Sequence, residues 1–287
     1  MFAADPFLGV RQNAMAKNKL FYIKKELMMI KELYDFPTEL RPVMTCNGER
    51  IPDRMAVVRT DTNKALGIVG KDYKIVPHSA VIETFDRVDI LARKKVEVCK
   101  DGAVLMAQYE LKEGKNILCA DVRVGDTVSF GLRVFNSMNS LFGVGFELNA
   151  LRLQCKNGLV VPRAIAKLSF RHFQGLDVSR FTELIQDKTR EIEPTVEIWK
   201  RWLEIKPSPE RITAFFKDVA VGKRLTEKLY QKAVESAQET GVWGLYQVFT
   251  HHLTHELKTR VAPEDRILIQ KDKERSFLDR FYTFNWN

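Results

Sequence analysis

The chain has 287 residues, enough for one large or two smaller domains and for a sizeable buried core. A hydrophobic fraction of 45% beside a net charge of +9 excludes a disordered chain, which pairs low hydrophobicity with high charge. The pI of about 9.3 points to polyanionic partners and is silent on fold.

The opening MFAADPFLGVRQNAMAKNKL has no apolar stretch behind a basic start, so no secretory signal is expected. No run of ~18 apolar residues occurs, which predicts no ordinary transmembrane helix and a protein of the host cytoplasm with no membrane partner. Cys46, Cys99, Cys119 and Cys155 form no CxxC pair, so reduced thiols are expected, not a zinc knuckle or redox site.

In chain order, the spacing of Leu20, Ile23, Leu27, Ile30 and Leu33 predicts an amphipathic helix from Asn13 to Phe36, stopped by Pro37. A linker with Pro42, Asn47, Gly48 and Pro52 is expected to follow. Met55–Arg59, Leu66–Val69 and Tyr73–Val76 read as strands, and Val81, Ile82, Phe85, Val88 and Leu91 as the apolar face of a helix after Pro77. From Lys95 to Gln154 the pattern is an antiparallel meander. Its strands Val96–Cys99, Val104–Leu111, Ile117–Val124 and Val128–Phe135 turn at Asp101-Gly102, Glu113-Gly114 and Gly125-Asp126, and Phe142–Gln154 is the last. Helices are expected at Ser179–Glu204, Ser208–Val219, Leu225–Gln238, Val242–Thr259 and Lys271–Phe284, punctuated by Pro207, Gly222, Gly241 and Pro263. This segregation marks an α+β fold, an antiparallel meander flanked by helices and followed by a helical C-terminal region. The boundaries read are 1–53 for the N-terminal helix and linker, 54–177 for the α+β core and 178–287 for the helical region.

The segment most informative about chemistry lies between Glu147 and Asp177, where no acidic residue occurs. It carries Arg152, Lys156, Arg163, Lys167, Arg171 and His172, and phosphate contacts need cations without competing carboxylates. Gln154 and Asn157 add neutral hydrogen-bonding groups for phosphate or base edges. A solvated basic face is the competing reading. Upstream, Arg133, Asn136 and Asn139 stand beside Phe135 and Phe142, which reads either as an ordinary turn between strands or as a strand end offering a stacking platform for unpaired bases.

Other chemistry finds less support. Gly70-Lys71 lacks the flanking pattern of a P-loop, and Gly143-Val-Gly145 lacks the third glycine of a dinucleotide fingerprint. His251 and His255 share a helix face and could chelate a metal. His252 holds the place where HExxH needs glutamate, and a histidine face without metal is the plainer reading. Asp121, Asp126 and Glu147 are the carboxylates a metal-dependent nuclease would draw on, and they fit turns and strand faces equally well. No serine elbow occurs. No enzyme, cofactor or metal is expected.

Several segments together resemble a known family. They are Val58-Arg59-Thr60-Asp61-Thr62, Leu66-Gly67-Ile68-Val69-Gly70, Tyr73-Lys74-Ile75-Val76, Asn136-Ser137, the Arg-x-x-Cys-x-Asn-Gly element at Arg152–Gly158, and Gly241-Val242-Trp243-Gly244-Leu245-Tyr246 with Thr254-His255. They resemble the phage- and plasmid-encoded family of unknown function called phage/plasmid-like proteins, over Arg54 to Thr259. The family's Trp-His-Gly-Leu-Gly-like opening is replaced here by the basic helix near Lys17–Lys31, and its Asn-Ser-His-Asp-Gly turn by Asn136-Ser137-Met138-Asn139-Ser140. The resemblance implies a mobile-element setting and no particular reaction. At the level of fold the chain also looks loosely like phage single-strand annealing recombinases.

Together these readings lead to an expectation of a phage or plasmid protein that binds single-stranded DNA, or another nucleic acid, in recombination or replication. Such a protein would act as a homo-oligomer, through Arg133, Asn136, Arg152, Lys156, Asn157, Arg163, Lys167 and Arg171. The alternative is a mobile-element factor that meets a host or phage protein, such as a host-defence inhibitor or assembly partner, without touching DNA.

Overall fold

The computed structural model describes residues 30–152, 157–160, 167–170, 181–219, 223–256, 277 and 279–286. For 151–152, 157–160, 167–168, 181–182, 223–226 and 254–255 only the backbone is described. Of the N-terminal helix read over Asn13 to Phe36, residues 30–34 are helical, and the part before residue 30 lies outside the described residues.

Alternating side chains and Asp-Gly, Glu-Gly and Gly-Asp turns build two antiparallel sheets rather than one. The smaller has the order β1 (Thr38–Met44), β2 (Arg50–Arg59), β3 (Lys64–Gly70). The expected linker over 38–53 is therefore strand β1, a hairpin turn and the start of β2. Pro42 disguised β1, yet proline is tolerated there because β1 is an edge strand. Gly48 (φ 83) turns the hairpin, with Gly48 N–H donating to Thr45 O at 3.0 Å. Residues 73–76 are not a strand: after β3 the chain runs irregularly into helix α1 (His78–Asp86).

The larger sheet contains β4 (Leu91–Cys99), β5 (Val104–Glu113), β6 (Asn116–Ile117), β7 (Cys119–Arg123), β8 (Asp126–Ser137), β9 (Val144–Arg152), β10 (Asn157–Val160) and β11 (Lys167–Phe170), in the main order β10-β9-β8-β5-β4. The meander is interrupted once. The chain over 116–123 slots between β5 and β8: Leu118 N–H donates to Leu111 O at 2.8 Å, and Leu118 O accepts from Phe130 N–H at 3.0 Å. β10 and β11 both pair with β9, against Asn149–Arg152 and Val144–Glu147 respectively, so they lie end to end along one edge.

Among the described residues, the α-helices after β3 are α1, α2 (Phe181–Thr189), α3 (Ile192–Glu204), α4 (Pro209–Asp218) and α5 (Lys223–His251), the last followed by a π turn at His252–Glu256, with a short helical segment at 279–283. The single helix expected over Ser179–Glu204 is two. Pro194 has no N–H to give and its ring crowds the carbonyl four residues back, so the helix breaks at Arg190–Glu191. α5 breaks at Thr240 and Gly241, as the glycine signal implies. Ser208 caps α4 by accepting from Arg211 N–H, with Pro209 at the first helical position.

One core cluster runs through both parts. Phe85 of α1 meets Tyr109 and Phe146 of the sheet, and Trp199 of α3 stacks on Phe130 with rings 6.2 Å apart. Trp243 Nε1 donates to the buried Asp126 carboxylate at 2.9 Å, tying α5 to the start of β8. Phe215 gathers Phe249, Phe277, Phe281, Phe284 and Trp286 around it, which docks the aromatic C-terminal segment. A second, smaller cluster of Phe36, Val57, Leu66, Val69, Cys99, Ala103, Val104 and Met138 joins the three-stranded sheet to the large one. No described helix is long and apolar enough to cross a membrane.

A candidate nucleic-acid interface

Directly opposed residues of antiparallel strands share a face, so register sorts the candidate residues. One row crosses five strands: Lys95 opposes Gln108, Gln108 opposes Arg133, Arg133 opposes Glu147, and Glu147 opposes Lys167. The neighbouring row is Ala92, Glu110, Gly131, Asn149 and Val160. Lys95, Gln108, Glu110, Arg133, Glu147 and Asn149 of these rows make the polar face of the sheet. The intervening residues of β8 and β9, among them Phe130, Leu132, Val134, Phe146 and Leu148, face the helices.

Arg133 does not stand ready for a phosphate. Its side chain is 14% exposed, with Nη1 at 3.3 Å from Glu147 Oε1, and the Glu147 side chain is only 5% exposed. A buried pair of this kind is costly to break from either side. Asn149 lies over Gly131, where a Cβ would collide with Asn149 Oδ1 and Tyr109 O, so the glycine makes room for the amide.

Asn136 belongs to the other parity and is fully buried. Its Nδ2 donates to Val76 O at 2.9 Å and lies 2.9 Å from His78 Nδ1, while His78 Nε2 is 2.8 Å from Gly102 O. Asn136 is therefore a buried post between β8, the approach to α1 and the turn at Gly102, and its burial removes it from any surface a polyanion touches. Ser137 completes this junction. Its hydroxyl donates to Phe142 O at 2.6 Å and accepts from Phe142 N–H, and its carbonyl accepts from Tyr73 at 3.0 Å. Phe135 is fully buried with its ring edge-on to Phe142 at 5.6 Å, so this strand end offers no stacking platform.

Arg152 opposes both Val128 and Asn157, positions of the same parity as Asn136. Lys167 holds the register of Arg133. The candidate residues thus divide between two parities instead of lining one groove. Lys156, Arg163 and Arg171 lie outside the described residues. Of the acid-free interval, the described strands β10 and β11 form the edge of the sheet beside β9.

Two sequence-distant segments also meet. β10, which begins within the Arg152–Gly158 element, packs against the π turn and α5, the helix that also holds Gly241–Tyr246. Gly241 (φ 65) is pressed on the end of α3, where a Cβ would strike the carbonyl oxygens of Trp202, Leu203 and Ile205. Val242 N–H then donates to Ile205 O at 2.9 Å. On the π turn, Glu256 accepts from Lys228 Nζ at 2.6 Å and lies 3.1 Å from His252 Nδ1. The hydrogen bond from Lys228, then that from His252, push its carboxyl down to about 2. His252 so serves an ion-pair node, and the side chain of His255 lies outside the described residues. Among the described residues no three His, Cys, Asp or Glu side chains are placed to hold a metal ion. Asp121 accepts from Thr127 Oγ1 at 2.5 Å, and Asp126 is engaged by Trp243.

Sequence reasoning had no access to the Lys95–Gln108–Arg133–Glu147–Lys167 row, because register alone aligns those residues. Fold and register together define a mixed α+β protein whose main sheet ends in an edge of two short strands without acidic residues, β10 and β11. The chain belongs to the family described as a domain of unknown function, DUF932, whose model matches residues 65–274. Neither a curated protein nor a solved structure matches it.

Proposed function

We propose that the chain binds nucleic acid, single-stranded DNA in particular, along the sheet edge that carries the acid-free interval after Glu147. The observation that carries this reading is the placement of β10 and β11 end to end on β9. Two strands of a sequence interval with five cations and no carboxylate thereby border the sheet, one of them carrying Lys167. Arg133 and Asn136 drop out of the contact set, one paired with Glu147 and one buried. Of the rest, Lys167 holds one parity of the edge and Arg152 and Asn157 the other, and Lys156, Arg163 and Arg171 complete the proposed set. Strand annealing in phage or plasmid recombination or replication suits such an interface, because it requires exposed bases and a held backbone and no catalytic acid or base. It also suits a homo-oligomer that lines up several edges.

The test is fluorescence anisotropy with labelled single- and double-stranded DNA over a range of salt. Preferential single-strand binding with a steep salt slope is expected. Arg163→Glu combined with Lys167→Glu should weaken binding and reduce the slope by about 1.4, two phosphate contacts at roughly 0.7 each. Unchanged affinity in that variant removes the edge as the interface. No binding at low salt by the unaltered protein moves the function to a protein partner.

A further inference from the structure

A second cation-lined site lies away from the sheet, between the end of α3 and the start of α4. It is an open groove of about 650 Å³ lined by Arg201, Glu204, Ile205, Lys206, Ser208, Arg211 and Trp286. That volume falls within the range of about 300–1,000 Å³ usual for small-molecule sites. Three cations face one carboxylate.

Two of the cations are held in place. Lys206 Nζ donates to Gln238 O and Glu239 O, each at 3.0 Å, at the end of the first segment of α5. An ammonium has three N–H donors, so one remains for a ligand. The Arg211 guanidinium sits 5.8 Å from the Phe284 ring. Arg201, on the last turn of α3, is exposed and makes no ion pair or hydrogen bond among the described residues. The floor is apolar: Trp286 is buried, its indole N–H turned inward to Phe281 O at 3.1 Å, and Ile205 lies beside it. The helix end is not the attraction, because Ser208 and Glu210 already cap it.

We propose that this groove binds a phosphate ester, with Arg201, the free donor of Lys206 and Arg211 on the phosphate and the Trp286–Ile205 floor beneath an apolar or planar group. The phosphate comes either from a small free ester or from a nucleic-acid backbone. The site does not depend on the sheet-edge interface.

The test is isothermal titration of the full chain in low-salt buffer with inorganic pyrophosphate, and separately with a short oligothymidylate. Arg201→Glu should weaken binding about tenfold or more, as expected for loss of a charge-assisted hydrogen bond. Arg201→Lys should restore most of it. Pyrophosphate binding that depends on Arg201 assigns the groove to small phosphates. Oligonucleotide binding alone with that dependence assigns it to a backbone. Absence of both, or affinity equal in the unaltered protein and in a folded Arg201→Glu variant, overturns the proposal. Arg201→Gln replaces Arg201→Glu if charge reversal prevents folding. Arg163→Glu with Lys167→Glu should leave pyrophosphate binding unchanged, which separates failure of this site from failure of the edge.

Discussion

At the scale of single residues, Glu256 shows how a local ion-pair node couples to pH. Its carboxyl sits at about 2, below the ordinary 4.5, because Lys228 and His252 both bond it. A group with a lowered folded value contributes stability above its unfolded value and loses it as pH falls through the folded one. The contribution is therefore complete above about pH 4.5 and is lost between there and about 2. Lys228 is 55% exposed, so water screens the pair and its worth is about 1 kcal/mol or less. Chemical denaturation across that pH range should show a shallower fall in stability for Glu256→Gln than for the unaltered protein. Equal slopes would mean that the acid sensitivity comes from other carboxylates.

At the scale of elements, the break in α5 decides how the helices stack. Gly241 has φ 65 and ψ −154, a region open to glycine and closed to side chains, and three carbonyl oxygens of the α3 end fill the space of a Cβ. Gly241→Ala should cost about 3 kcal/mol or more in urea unfolding, combining strain with collision. Gly114→Ala is the control. Gly114 also has a positive φ, 62, but open space around it, so only about 1–2 kcal/mol of backbone strain is expected. Similar losses at both sites would show that contact with α3 adds nothing.

At the scale of the whole molecule, the question is whether sheet and helices unfold together. One core cluster holds Phe130, Leu132 and Phe146 of the sheet with Trp199, Trp243 and Phe215 of the helices, and the Trp243–Asp126 bond joins them. All four tryptophans, Trp199, Trp202, Trp243 and Trp286, lie in the helical region, so their fluorescence reports on that part while far-ultraviolet circular dichroism also reports on the strands. The two denaturation curves should coincide, as for a single cooperative unit. Separate midpoints would give the helical region, from residue 178, an independent stability.

The sequence by itself determined the elements whose signals are local. Gly102, Gly114 and Gly125 marked the turns of the larger sheet, Pro209 and Gly241 marked helix boundaries, and apolar spacing separated strands from helices, because turn chemistry and periodicity act within a few residues. Local signals also misled where two competed. Pro42 hid β1, and the helical pattern through residues 179–204 hid the break before Pro194. The tertiary structure alone decided register, and with it the meaning of the polar residues. Arg133 faces Glu147 across two strands, Asn136 turns inward to Val76 and His78, and Lys206 reaches the end of the first segment of α5. Each of these pairings joins residues far apart in the chain. Whether a cation is spent on a carboxylate or left for a ligand is therefore settled only when the strands and helices are assembled.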